Sequence, residues 1–362
     1  MTTHARPAPA MPRLGFLGVG WIGRNRLEAL ARSELVEIVA VSDPVAEYAA
    51  AASELAGCAS CASLDELLQA DLDGLVIATP SALHAKQAIA ALQQGIAVFC
   101  QKPLGRTESE TTRVVDAARA ANKLLGVDLS YRFVTGASQI RDLIRSGELG
   151  TVYAVDLVFH NAYGPDKAWF YDPALSGGGC VIDLGSHLVD LALWTLAHER
   201  VVEVSSSLFA NGERLTLPTK VVENYATAKL ELEGGGVVSL ACSWNLPAGC
   251  DAVITASFYG TRGGATLRNV GGSFYDFTAE RFRGTSRETL STPPDDWGGR
   301  AALHWARRLA AVSKFDPEAE RLTELAAVLD MIYGRTDPPE SSAGAEWAGS
   351  QAAAAASSAI GL

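Results

Sequence analysis

The strongest constraint on this chain lies near its start, where the apolar run Leu14-Gly15-Phe16-Leu17 leads into Gly18-Val-Gly20-Trp-Ile-Gly23. A helical pattern over 22–31 follows at once. Between a buried strand and a helix, each glycine has a physical task. Gly18 permits the tight turn, Gly20 lets a diphosphate approach the backbone, and Gly23 lets the helix pack on the strand with its N-terminus toward the phosphates. The next apolar strand, over 36–41, ends in Ser42-Asp43, about twenty residues past Gly23, where a carboxylate binds adenosine ribose hydroxyls. The spacing predicts a dinucleotide site made by Gly18, Gly20, Trp21, Ile22, Gly23 and Asp43; a purely structural glycine turn is the alternative. No Arg or Lys stands between Asp43 and Ser53 to receive a 2′-phosphate, so NAD is expected and NADP is disfavoured.

Strand and helix patterns then alternate, as a doubly wound parallel sheet requires. Helices are expected over 45–55, 63–68 and 108–122, with another running through Gln94 to a stop at Gly95, and strands over 58–61, 74–78, 96–100 and 124–127. Ligands of such sheets sit at the carboxyl ends of the strands. Thr79, Pro80 and His84 therefore fall beside the nicotinamide half of a dinucleotide. The strand over 96–100 delivers Gln101-Lys102-Pro103 to the same edge, which aims Lys102 into the cleft, and the domain closes near Tyr131 and Arg132.

The second half is dominated by strands, over 152–160, 201–209, 222–232, 236–244, 252–259 and 265–268. Ala226, Ala228, Leu230 and Leu232 alternate with Thr227, Lys229, Glu231 and Glu233, the mark of a sheet with one wet face. The expected architecture is α/β: a Rossmann domain over 13–133 and an α/β domain over 134–335 with a large open, mostly antiparallel sheet, flanked by tails over 1–12 and 336–362. Within it lies SGGGCVIDLGSHLVDLALW, from Ser176 to Trp194. Apolar residues surround this helix too completely for a surface position, yet Asp183, His187, Asp190 and Trp194 recur on one face. Buried polar groups need partners. Either Asp183 and His187 satisfy each other in a core, or the stripe faces a cleft. The preceding loop over 161–175 carries Asn161, Tyr163, Asp166 and Trp169, which fit a substrate wall or simple local packing.

A net charge of −11 argues against a nucleic-acid or anionic-membrane partner, since both depend on basic patches. No apolar run is long enough to span a bilayer, and the N-terminus lacks a signal-peptide core. A cytoplasmic protein is expected. Cys58-Ala-Ser-Cys61 matches CxxC but has no second ligand pair, and no metal is expected.

With Gly18-Val-Gly20-Trp-Ile-Gly23, Gln101-Lys102-Pro103 and the run from Gly177 to Asp190 together, the chain resembles the Gfo/Idh/MocA family over about residues 13–335. The resemblance implies NAD(P)-dependent chemistry on sugars, cyclitols or related polyols and subunit contacts through the open sheet, as a homodimer or homotetramer. It implies Lys102, Asp183 and His187 as the catalytic set. The substrate would be lined by these three with Tyr131, Arg132, Asn161, Tyr163, Asp166 and Trp169, and the dinucleotide by the glycine loop, Asp43, Thr79, Pro80, His84, Gln101 and Lys102. One departure stands out: the family usually has Glu before Lys-Pro, and here it is Gln101. The expected reaction is hydride exchange with a secondary alcohol or ketone of a sugar, amino sugar or cyclitol. An inactive sensor on the same fold is the rival. A cationic substrate is a further expectation, on the ground that Asp166, Asp172 and Asp190 join Asp183 near the cleft.

Overall fold

The protein is described from a computed structural model over residues 11–335. Residues 1–10 and 336–362, which hold most of the two expected tails, lie outside the described residues. The first half alternates as β1 (Arg13–Leu17), α1 (Trp21–Ala31), β2 (Glu37–Ser42), α2 (Ala46–Ala56), β3 (Ala59–Ser60), α3 (Leu64–Leu67), β4 (Gly74–Ile77), α4 (Ser81–Gln93), β5 (Ala97–Cys100), α5 (Glu108–Ala121) and β6 (Leu125–Val127). All six strands are parallel, in the order β3-β2-β1-β4-β5-β6. This is the doubly wound order, whose direction of winding reverses between β1 and β4 and leaves a crevice there. Local chemistry sets the boundaries. Ser63 accepts a hydrogen bond from the Glu66 N–H and Thr107 one from the Glu110 N–H, capping α3 and α5.

The second half begins with α6 (Thr135–Arg145) and β7 (Val152–Asn161), then α7 (Pro173–Ser176) and α8 (Ser186–Thr195). The strands β8 (Val201–Ala210), β9 (Glu213–Arg214), β10 (Tyr225–Leu232), β11 (Val237–Ser243), β12 (Ala252–Gly260), β13 (Gly264–Asn269), β14 (Phe277–Arg283) and β15 (Ser286–Ser291) follow. They form a nine-stranded sheet in the order β15-β14-β13-β12-β7-β11-β10-β8-β9. Every neighbouring pair is antiparallel except β7 with β11. One face carries Val155, Leu157, Phe159, Ala226, Ala228, Leu230, Val238 and Leu240 into the core beneath α8. The other presents Asp156, Thr227, Lys229 and Ser239, none of them fully buried.

Strands β9, β14 and β15 were not expected from the sequence. The charged pattern of Phe277–Arg283 hides β14 because its polar side chains are paired across strands: Glu280, 4% exposed, lies 3.1 Å from Arg268 and 3.3 Å from Arg287.

The last two helices, α9 (Arg300–Ala311) and α10 (Arg321–Ile332), close the structure. Helix α9 returns to the first sheet, a return that a boundary at 133/134 did not anticipate. Its Ala301, Trp305 and Leu309 pack with Leu14, Phe16 and Phe99. The Trp305 ring needs glycine beneath it, since a Cβ on Gly126 would lie 2.6 Å and one on Gly74 2.7 Å from its atoms. Helix α10 adds Leu325, Val328, Leu329 and Ile332 to the core of the second domain. Among the described residues no helix is long and apolar enough to cross a membrane.

Candidate active site

The glycine loop joins β1 to α1 in the shape its sequence requires. Gly18 has φ +85°, and a Cβ there would meet the Ala78 carbonyl oxygen at 2.5 Å; one on Gly23 would meet the Gly18 oxygen at 2.2 Å. Gly20 differs, with nothing within 4 Å of its Cβ position. Its missing side chain is explained by space left open outside the turn. Gly20 is also the N-cap of α1 and offers its first turn no side chain, and no acidic residue stands in that turn. The leading N–H groups of α1, those of Trp21, Ile22 and Gly23, thus remain donors for an anion. Trp21 is 73% exposed at this turn. Asp43 follows β2 and accepts from the Val19 N–H at 2.8 Å and the Val45 N–H at 2.9 Å. Its carboxylate sits against the glycine turn and helps hold it. This donor set and open space fit a dinucleotide diphosphate.

Across the crevice, β4 ends at Thr79-Pro80, both half-buried, with the Thr79 hydroxyl 2.6 Å from Gln87. His84 corrects an expectation. It is 1% exposed, and its two ring nitrogens lie 2.7 Å from the Thr79 and Pro103 carbonyl oxygens. Both polar atoms are committed to joining the ends of β4 and β5, which leaves none for a ligand. Gln101 likewise turns inward, 8% exposed, its amide donating to Asp128.

Lys102 projects from the end of β5. Its Nζ donates to Asp183 Oδ1 at 2.8 Å and to the Asp183 carbonyl at 2.5 Å, with side chains 17% and 20% exposed. The other Asp183 oxygen accepts from Trp244 Nε1 at 3.1 Å. Trp244 was missed by sequence reasoning, because one tryptophan at a strand end carries no distinguishing signal. Asp183 itself lies in a π-helical turn, Val181–Gly185, before α8 begins. The sequence pattern suggested a regular α-helix; a wide turn is common at functional sites. Its start is held by buried Glu223, which accepts from the Gly179 and Val181 N–H groups and from the Tyr333 hydroxyl. The glycines are required here, since a Cβ on Gly179 would lie 1.9 Å from the Glu223 backbone carbonyl oxygen and one on Gly178 2.1 Å from the Tyr333 hydroxyl.

His187 stands one turn beyond Asp183. The Tyr131 ring packs on it at 4.9 Å, and neither ring nitrogen has a hydrogen-bond partner among the described residues. It does not bond Asp183, so the two do not satisfy each other. Burial, then the Lys102 and Arg26 cations, hold His187 well below the ordinary histidine pKa. It is a neutral imidazole near pH 7, with a lone pair to accept a proton.

Further along the stripe, the sequence expectations need correction. Asp190 is 3% exposed and is gripped by Arg132 through two hydrogen bonds, 2.8 and 2.5 Å. Both Asp190 oxygens are thereby taken by a protein group. Trp194 stacks under Arg141, whose guanidinium is 4.2 Å from the ring centre. Asp172 caps α7 by accepting from Ala174, and Asp166 pairs with Lys167 at 3.0 Å on the surface. Each of the three carboxylates expected beside Asp183 thus has a partner of its own within the protein. Asn161 accepts from the Tyr163 N–H, and the Tyr163 hydroxyl donates at 2.5 Å to Asp251, which immediately precedes β12. Trp169 stacks on Phe170 at 3.8 Å, while Phe170 and Tyr171 pack edge-on against Trp244. This aromatic wall borders the Lys102–Asp183 pair through Trp244.

Comparison with known proteins places the two domains in one family. An oxidoreductase family described by its NAD-binding Rossmann fold matches residues 13–129, and the GFO/IDH/MocA C-terminal domain matches residues 137–266. The chain is 34% identical over 204 residues to the rhizopine catabolism protein MocA of Rhizobium meliloti, covering 55% of this chain and 62% of that one. It is 29% identical over 270 residues to D-glucoside 3-dehydrogenase of Escherichia coli (strain K12), covering 70% and 76%. The chain thus spans somewhat under two thirds of the first relative and about three quarters of the second. Levoglucosan dehydrogenase, solved with NADH, shares the fold at a TM-score of 0.77 and 20% identity over 90% of this chain and 97% of that one. The chain belongs to the GFO/IDH/MocA family of oxidoreductases, with an NAD-binding Rossmann fold.

Proposed function

We propose that the protein oxidises a secondary alcohol of a sugar, amino sugar or cyclitol to a ketone, or reduces the ketone, with Lys102, Asp183 and His187 at the reacting carbon's oxygen. The observation that carries this reading is the Lys102–Asp183 pair at the carboxyl edge of the first sheet, one turn from a neutral, unpartnered His187. A bound nicotinamide dinucleotide supplies the hydride acceptor or donor. The chain's own residues handle the oxygen and its proton. Lys102 has a third N–H beyond the two given to Asp183, and donates it to the substrate oxygen, stabilising negative charge there. His187 takes the hydroxyl proton on a ring nitrogen during oxidation and returns it during reduction. Asp183, fixed by Trp244, keeps the ammonium aimed. Trp169, Phe170 and Tyr171 give a sugar face an apolar surface and limit water. The sugar-acting relative, D-glucoside 3-dehydrogenase, supports the substrate class. The polar outer face of the second sheet is the proposed contact between copies in a dimer or tetramer, and the proposed location is the cytoplasm.

The test is a panel of sugars, amino sugars and cyclitols with NAD and NADP, monitored for reduced cofactor. Turnover of at least one polyol is expected; tight NAD binding without turnover across the panel would favour an inactive sensor.

Two expectations refine the reading. NAD should exceed NADP in kcat/KM by about tenfold or more, the effect of roughly 1.4 kcal/mol of repulsion between the Asp43 carboxylate and a 2′-phosphate. A preference for NADP would refute this role for Asp43. The second concerns pH. Because His187 is held below its ordinary pKa of about 6.5, its proton-accepting form persists as pH falls. The oxidation kcat/KM should therefore show no acid limb attributable to His187 until the pH drops below about 6.5. A limb centred above 7 that disappears in a His187 variant would contradict the assignment.

A further inference from the structure

We propose that Asp128, held by Arg26 and by the Gln101 amide, is a positioning residue that fixes the end of β5 from which Lys102 projects. Arg26 Nε donates to Asp128 Oδ2 at 2.6 Å, and the Gln101 amide donates to the same oxygen. The three side chains are 5%, 1% and 8% exposed for Arg26, Asp128 and Gln101. They tie three elements together. Arg26 stands on α1, behind the glycine loop; Asp128 follows β6, its N–H donating to the Cys100 carbonyl at 2.9 Å; Gln101 directly follows β5 and precedes Lys102.

The residue types are matched to one another. A carboxylate at 101 would face the Asp128 oxygen at hydrogen-bonding distance, and two buried like charges there would force one to take up a proton. The amide donates instead, so Asp128 balances Arg26 and the buried charge sums to zero. Stability alone does not account for the arrangement. A buried ion pair is often no better than apolar residues of the same volume, and Asp128 Oδ1 is buried without a partner among the described residues. An oxygen left in that condition costs free energy. What the arrangement secures is the base from which Lys102 projects, since Asp128 holds both the Cys100 carbonyl and the Gln101 amide on either side of the end of β5.

The test is a four-protein cycle: the unaltered chain, Gln101→Glu, Asp128→Asn and the double variant, each measured by urea unfolding and by kcat and KM with NAD and a panel substrate. The activity arm rests on the proposed function; the unfolding arm needs no substrate, so an inactive unaltered chain would refute that function while the cycle still tests the charge exchange. Each single change should lower kcat about tenfold or more and reduce stability, with KM for NAD changing less than about threefold. The double variant should recover most of both losses, since the carboxylate introduced at position 101 then accepts from Arg26 and from the amide introduced at position 128. If Asp128→Asn does not fold, recovery of the double variant over Gln101→Glu reads the same coupling. Losses that simply multiply in the double variant, or full kcat in Asp128→Asn, would overturn the proposal.

Discussion

Lys102→Ala is expected to lower kcat/KM by about 10³-fold while changing the Kd for NAD less than about threefold. The loss follows from the site's charge arrangement. Removing one preorganised donor to a developing oxyanion costs about 10²–10³-fold, and the ammonium brings a full charge. The variant should remain folded, because the Lys102–Asp183 pair is partly open to solvent and Asp183 keeps its hydrogen bond from Trp244. Lys102→Arg should not restore the rate, since a planar guanidinium cannot reproduce both bonds to Asp183 and a third to substrate. Steady-state kinetics beside fluorescence titration of NAD separates the possibilities. Equal losses of rate and of NAD affinity would mean that Lys102 holds the dinucleotide rather than the reacting oxygen.

His187→Ala should reduce kcat about 10²–10⁴-fold, the usual worth of a positioned general base. The remaining activity should rise with pH, as hydroxide replaces the missing proton acceptor. Tyr131 would lose the ring packed at 4.9 Å, so unfolding should be measured in parallel and His187→Gln used as a variant with less loss of volume. Near-normal kcat in both variants would show that another group, or water, takes the proton. Asp183 is not a candidate to relieve His187 of this task, because its two oxygens are engaged by Lys102 and Trp244.

The first domain was legible because its signals are local. Gly18 and Gly23 are demanded by backbone contacts, and each strand end follows from an apolar run meeting a turn residue. The Lys102–Asp183 meeting spans 81 positions in sequence, yet the two residues sat in recognisable runs, Gln-Lys-Pro and the glycine-led helix. What misled sequence reasoning was partnership. Arg132, Asp190 and Asp172 have residue types suited to a substrate, but each is spent on a protein group that no local pattern reveals. His84 looks like a ligand at a strand end until its ring is found between two carbonyls. Trp244 is the converse: silent in sequence, it becomes part of the site only when β11 brings it beside the π turn.

The central claim is direct hydride exchange between the nicotinamide and a sugar carbon whose oxygen is held by Lys102 and His187. It is tested by incubating the enzyme and NAD with a panel substrate deuterated at the carbinol carbon, then reading deuterium at nicotinamide C4 by mass spectrometry. Stoichiometric, stereospecific transfer of deuterium to C4, slowed about 10³-fold in Lys102→Ala, is the predicted result. Reduced cofactor without deuterium, or deuterium transfer at an undiminished rate in Lys102→Ala, would contradict the account.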